Sequence, residues 1–424
     1  MKKLIFTITL LTSFIGFSQH GLETEIADIE SKVIEWRRHF HENPELSNRE
    51  FKTAEKIAAH LKSLGLEVQT GVAHTGVVGL LKGDHPGKVL ALRADIDALP
   101  VPERADLPFK STVKGTFRGE EVPVMHACGH DTHIAILMGV AEILSKHKDK
   151  INGSIKFIFQ PAEEGAPSGE EGGAALMVKE GVLKSPDVDA IFGLHIGSGQ
   201  SVGTLEYKPG GMMAAVNSFE INVSGKQTHG SRPWAGIDPI MASVKIIDGL
   251  QTLVSREMEL TKEAVVLSIG KIESGVRSNI IPESAQIIGT LRTLDYDMQA
   301  QIIKRMKEMI PAIAAAYRAE ATITFPMGYP ITFNHLDLTA QMAPSLEKAA
   351  GKDNVHIIKA ITGAEDFSFF QEEVPGFYFF LGGMTPGTTE AFPHHTPDFF
   401  IDESGILLGV KTFIQMSLDY LNSK

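Results

Sequence analysis

Cysteine is almost absent from this chain. A single one, Cys128, stands among 424 residues, so no intrachain disulfide forms and a disulfide-stapled miniprotein is excluded. Positive charge is also short: 40 Lys+Arg face 52 Asp+Glu, a formal net charge of −12. That balance argues against nonspecific binding to phosphate backbones or anionic lipid, and nucleic acid is not an expected partner. A small anionic substrate stays open, because one local arginine or metal outweighs the global field. Beyond the first 18 residues, no uninterrupted apolar stretch reaches the ~20 residues of a spanning helix. Internal repeats and low-complexity runs are missing too. What is present is ordinary for a folded protein: 43% hydrophobic, 22% charged and 7% aromatic residues. At ~100–200 residues per domain the length fits two or three domains with a sizeable core.

Residues 1–18 read as an export signal. Lys2 and Lys3 precede an apolar run from Leu4 to Phe14, and Gly16 and Ser18 are the small residues a signal peptidase reads. Cleavage after Ser18 is expected, giving a periplasmic or secreted protein with no membrane attachment. A free cysteine in that oxidising setting calls for protection by burial or by metal.

Strands and helices then alternate. Residues 23–64 form two expected helices broken at Asn43-Pro44. Short apolar strands end in Asp95, Gln160 and His195, as in a helix-covered, mainly parallel α/β sheet. The pattern changes near residue 210. Ala215–Ser224, Ile237–Glu259, Ala264–Glu273, Glu283–Thr293, Met298–Arg318 and Ala321–Phe325 read β-α-β-β-α-β, a ferredoxin-like α+β module. It is complete in itself, so it reads as an insertion over 212–327. The first pattern occupies 19–211 and 328–424, with Leu336–Ala350 and Glu365–Glu372 helical.

Chemistry concentrates in four places. His126, Cys128, His130, Asp131 and His133 crowd one short stretch before a helix. Cys128 and His130, two apart, diverge on a helix but converge on a loop, and thiolate with imidazole suits a borderline metal. Singly, each reads as packing or capping; together they read as a metal site. Glu163 and Glu164 leave a strand's C-terminal end behind Pro161, where open α/β sheets keep their sites. Adjacent carboxylates repel, and a shared cation relieves them, although a solvated acidic loop explains them equally well when taken alone. His195 at a strand end and His394-His395 in a loop are ordinary by themselves. Cys128, His130, Glu164, His195 and His395 would supply five ligands, enough for two metals sharing a water. His39 and His41 read as helix-end structure, Met212 and Met213 as core, and Glu365 and Asp366 as capping or substrate contact.

These motifs resemble the M20 metallopeptidases, in the amidohydrolase branch of hippurate hydrolases, N-acyl-amino-acid deacylases and auxin-conjugate hydrolases. The resemblance rests on HACGHDTH at 126–133, QPAEEG at 160–165, Leu194-His195 and HHTPDFFIDE at 394–403. WRRHFHENPELSNRE from Trp36, LRADIDALP at 92–100, KQTHGSRPWAGIDPI and SGVRSNIIPESAQIIGTLRT extend it over nearly the whole chain. It implies that Cys128, His130, Glu164, His195 and His395 are the metal ligands, with His395 favoured over His394 because it directly precedes Thr-Pro. It implies Glu163 as general base, His229 as the group reaching the substrate carbonyl, and Asn279 as a substrate contact. Asp95 and Asp97 stand where other branches keep an HxD metal motif, and here they are expected to support the ligands. Two divalent ions (Zn, Mn, Ni or Co) and an inserted domain serving as lid and dimerisation surface follow, with a homodimer or larger homo-oligomer.

The expected activity is metal-dependent hydrolysis of N-acyl amino acids. A dipeptidase or exopeptidase using the same centre is the alternative among enzymes. A non-catalytic binding protein of the same fold is the alternative outside them, although it has no use for a base such as Glu163.

Overall fold

The computed structural model describes residues 21–423, apart from the side chain of Met327. The expected export signal lies outside the described residues. The chain divides into two compact units. One comprises residues up to Pro209 with Asn334–Ile358 and Phe370–Lys424; the other comprises Gly210–Phe333 with Lys359–Phe369.

The first unit is built on an eight-stranded sheet. Its centre holds four parallel strands in the order Asn152–Gln160, His85–Asp95, Ala190–Ser201 and Gly376–Met384. Their apolar runs are buried on both faces, as parallel strands under helices must be. Asp95 pairs with Gln160, and His195 with Phe380. Because the four strands run the same way, the chain leaves them on one edge of the sheet. Helix His130–Ser145 starts there and is buried almost all round, a core helix rather than an amphipathic one. It packs on strand His85–Asp95 and on helices Glu30–Glu42 and Ile406–Leu421. Gly139 permits that approach, since a Cβ there would lie 2.9 Å from Val33 Cγ2.

The outer strands escape the sequence pattern. Glu67–Val72 is a mostly exposed edge strand paired antiparallel with Gly76–Lys82, and Leu205–Tyr207 and Val355–Ile357 are three residues each. Hydrophobic alternation needs a buried face and more than three residues to register.

The second unit carries a four-stranded antiparallel sheet in the order Val265–Ser274, Ser284–Thr293, Ala215–Ser224 and Glu320–Tyr329, with helices Pro239–Glu257 and Tyr296–Ala316. Asp238 and Asp295 cap those helices by accepting main-chain N–H bonds. Phe219, Ile221 and Val223 alternate into a core with Ile246, Leu250, Ile302, Met306 and Ile310. Pro311 sits inside its helix without ending it.

Two differences from the sequence reading matter. Lys359–Phe369 groups with the second unit, because Ala214 N–H donates to Gly363 O (2.8 Å) and Ile361 N–H to Met212 O (3.0 Å). Main-chain pairing across such a sequence separation leaves no local signal. The expected helix Glu365–Glu372 shrinks to Ser368–Gln371. Among the described residues no helix is long and apolar enough to cross a membrane.

Candidate metal centre

The site is assembled at the edge where the parallel strands end. Cys128 lies in a loop and His130 opens the buried helix. Between them Gly129 adopts φ +92°, and a Cβ there would sit 2.3 Å from Ile196 Cγ2. Only glycine makes this turn so close to a neighbouring strand. The turn brings the Cys128 and His130 donor atoms together with a Glu164 oxygen, all within 4.8 Å of one another. Glu163 and Glu164 follow Ala162, which takes φ +53° and donates its N–H to Glu50 Oε1 (3.0 Å).

Asp97 organises this corner. Its Oδ1 accepts from the main-chain N–H of Glu163 (3.2 Å), and its Oδ2 from Glu164 N–H (3.1 Å) and the Ser47 hydroxyl (2.7 Å). Its carbonyl oxygen accepts from His130 Nδ1 (2.9 Å). His130 Nδ1 therefore carries a hydrogen, and Nε2 is the nitrogen that a neutral ring would offer an ion. That nitrogen is buried with no hydrogen-bond partner.

His195 repeats the arrangement. Its Nδ1 donates to Ile196 O (2.7 Å), which leaves Nε2 bare, 3.4 Å from Cys128 Sγ. His395 Nε2 lies 3.3 Å from the same sulfur and 3.0 Å from Glu164 Oε1. Its main-chain N–H is tied to Ala127 O (2.8 Å). His395 is exposed whereas Cys128, His130 and His195 are buried, so the cluster opens on the His395 side. His394 also approaches, with Nδ1 3.6 Å from Cys128 Sγ.

The other histidines of the motif are occupied or apart. His133 donates from Nδ1 to Asp95 Oδ1 (2.5 Å) and accepts Ile196 N–H at Nε2 (2.8 Å), so it has no lone pair to offer an ion. Asp95 is held further by Arg93 (2.7 Å), which also grips Gln160. His126 is buried without a hydrogen bond at either nitrogen, and burial pushes it down to about 3. His41 is no mere helix end. It bridges Asp131 (2.9 Å) and Glu103 (3.0 Å) in a buried network with Arg37, and Asp131 is the residue after His130. His41, Glu50 and Arg93 stand in segments that carry the family resemblance, but their contacts were not legible there, because their partners are distant along the chain.

Negative charge dominates the centre. Burial, then Glu164, Glu163 and Asp95, push the Cys128 thiol well up. Burial opposes charge on His130, yet Asp95, Asp97 and Glu164 outweigh it and raise it to about 10. Burial and neighbouring histidines hold His195 well below its usual range. Asp95 stays ionised despite burial because Arg93, His130 and His133 surround it. A cation would take over the work these protons do. One sulfur, three imidazoles and a carboxylate, with a bare nitrogen on His195 and Nε2 of His130 bared once an ion displaces its proton, fit divalent transition metals.

His229 and Asn279 lie together in the second unit. Strand Thr228–His229 pairs with Ile280–Ile281, and Asn279 O accepts Gly230 N–H (2.8 Å). His229 Nδ1 accepts from Ser231 N–H (3.1 Å), so a neutral ring carries its hydrogen on the exposed Nε2.

The sequence model of peptidase family M20/M25/M40 matches residues 91–419. Thermostable carboxypeptidase 2 of Saccharolobus solfataricus is 40% identical over 403 residues, 95% of this chain and 98% of that protein. The N-acetylcysteine deacetylase of Bacillus subtilis is 38% identical over 397 residues, covering 93% and 98%. The crystal structure of the Bacillus subtilis YXEP protein, described as a dinuclear metal binding peptidase from the M20 family, superposes with a TM-score of 0.78. It shares 34% identity and covers 94% of this chain and 100% of that one.

Proposed function

The chain belongs to peptidase family M20/M25/M40, and from that premise we propose that it hydrolyses the amide bond of N-acyl amino acids, releasing a carboxylic acid and an amino acid. It is a metal-dependent hydrolase by family. Cys128, His130, Glu164, His195 and His395 would hold two divalent ions, drawn from Zn, Mn, Ni or Co. When bound, such ions polarise the amide carbonyl and make water more acidic. The observation that carries the reading is the convergence of imidazole nitrogens and the Glu164 carboxylate around the Cys128 sulfur.

Within it the chain's own residues divide the work. Glu163 is buried beside the ligands with its main-chain N–H fixed by Asp97. It takes the proton of the attacking water and returns it to the leaving nitrogen. His229 donates from Nε2 to the substrate carbonyl oxygen as charge develops there, and Asn279 contacts the substrate from the same ribbon. The deacetylase relative supports an N-acyl substrate. The carboxypeptidase relative supports a second reading, in which peptides are the substrate.

A panel of benzoyl-glycine, N-acetyl amino acids and dipeptides separates the two. Stripped protein is assayed with Zn, Mn, Ni or Co restored. Metal-dependent cleavage of the acyl amino acids, with dipeptides untouched, is the expected result. Preference for dipeptides would move the chain to the peptidase reading, and inactivity throughout with metal bound would overturn both substrate assignments.

A further inference from the structure

Two adjacent histidines reach one sulfur, and their roles differ. His395 Nε2 is 3.3 Å from Cys128 Sγ and also meets Glu164. His394 Nδ1 is 3.6 Å from the same atom, an ordinary N–H···S separation. Its other nitrogen decides what that contact is. His394 Nε2 accepts the main-chain N–H of Ser198 at 3.2 Å. A main-chain N–H only donates, so Nε2 carries no hydrogen, and the single hydrogen of the neutral ring sits on Nδ1, facing the sulfur. Binding an ion through Nδ1 would force that hydrogen onto Nε2, against the Ser198 N–H. Two donors would then face each other at the buried Ser198.

We propose that His394 is a positioning residue rather than a ligand: its Nδ1–H is a fixed hydrogen-bond donor to the Cys128 sulfur, holding the thiolate toward the metal pair. The inference rests on the metal-centre reading above. The ring is fixed for the task. It packs on Phe399 with centroids 4.8 Å apart and meets the edge of His195 at 5.2 Å. His195 offers the sulfur only a bare nitrogen, so it supplies no hydrogen there, whereas the His394 Nδ1–H does. Groups behind metal ligands act in this way, by orienting them and setting how much electron density they give.

The test uses the full chain with His394→Leu, His394→Gln and His394→Asn. Leucine removes the donor. Glutamine carries its amide one bond farther, toward Ser198, and so misplaces it. Asparagine sets an N–H close to the Nδ1 position. Cobalt(II) affinity is measured by chelator competition, and the near-ultraviolet sulfur-to-cobalt charge-transfer band is recorded. The leucine and glutamine variants should bind cobalt about 10–100-fold more weakly, with asparagine within about threefold of the parent. Their band should move to longer wavelength, because a sulfur without its donor gives up electrons more readily, while the number of cobalt ions per chain stays that of the parent. Parent-like affinity and band in the leucine and glutamine variants would overturn this inference alone. Loss of one cobalt per chain in all three variants, asparagine included, would make His394 a ligand and overturn it too. A parent chain that takes up no cobalt would overturn the inference together with the function it rests on.

Discussion

Replacing Asp97 by asparagine removes one charge and one acceptor from a carboxylate that serves four donors. Oδ1 faces His130 Nδ1 (3.2 Å) and Glu163 N–H (3.2 Å); Oδ2 faces the Ser47 hydroxyl (2.7 Å) and Glu164 N–H (3.1 Å). An amide NH2 in the Oδ1 place would confront two N–H donors. In the Oδ2 place it confronts one, and the Ser47 hydroxyl turns to accept. The second orientation wins, and the Glu164 N–H loses its acceptor. An unpaired buried donor costs about 1–3 kcal/mol, and the lower part of that range applies because Glu164 is half-buried. The remaining bonds also fall from charge-assisted to neutral strength. His130 keeps its tautomer, since the Asp97 carbonyl oxygen still accepts from Nδ1 at 2.9 Å. The loss therefore stops short of abolition. It falls on two candidate ligands, so it should appear as metal binding weakened about 10–100-fold, equivalent to ~1.4–2.8 kcal/mol. Chelator competition on Zn-loaded protein measures it, with amide hydrolysis at saturating metal as the companion assay. Metal affinity unchanged from the parent would refute the reasoning, because it would mean that Asp97 does not orient His130 and Glu164.

Three further outcomes are expected. Glu163→Gln should fold and keep its metal yet lose about 10²–10⁴-fold in turnover, the usual worth of a general base; near-normal turnover would remove Glu163 from that role. His229→Ala changes an exposed side chain, so stability should stay within about 0.5 kcal/mol while kcat drops; matched losses in a thermal melt and in activity would make His229 structural instead. Asp131→Ala leaves Arg37 and His41 charged and buried with one partner fewer, at a cost of about 3–5 kcal/mol in denaturant unfolding. The same network predicts a pH dependence. Burial and Arg37 oppose charge on His41, but hydrogen bonds to Asp131 and Glu103 raise it above its ordinary value. A raised histidine contributes fully below its unfolded pKa of ~6.5 and loses that contribution as pH rises through the folded value. Stability should thus decline on the alkaline side, and a flat profile over roughly pH 6–9 would exclude a charged His41.

Much of the architecture follows from short-range pattern. The strands carrying Asp95, Gln160 and His195 announce themselves because both faces are buried, although the third runs on past His195 to Ser201, and the β-α-β-β-α-β module because its alternation is regular and its helices are long. Glu67–Val72 shows no such pattern, since an edge strand exposed along most of its length needs no apolar alternation. Lys359–Phe369 crosses to the second unit through main-chain bonds, which any side chains would permit. Cys128 and His130 stand out by their spacing, because one glycine turn is enough to converge them. His41 and Glu50 do not, because Asp131, Glu103, Thr75 and Ala162 meet them only after folding.

The sequence by itself determined the inventory: one sulfur, an uncommon density of histidines, and two carboxylates at a strand end, in an order that resembles one family. Residue identity and local periodicity are properties of the chain alone. The hydrogen on each imidazole is not. Ile196 O bares one nitrogen of His195, Asp97 O decides which nitrogen of His130 is left for an ion, and Ser198 N–H turns the hydrogen of His394 toward Cys128. The difference between a ligand and the residue beside it was decided only by tertiary structure, because a ring nitrogen's role is set by what the opposite nitrogen meets.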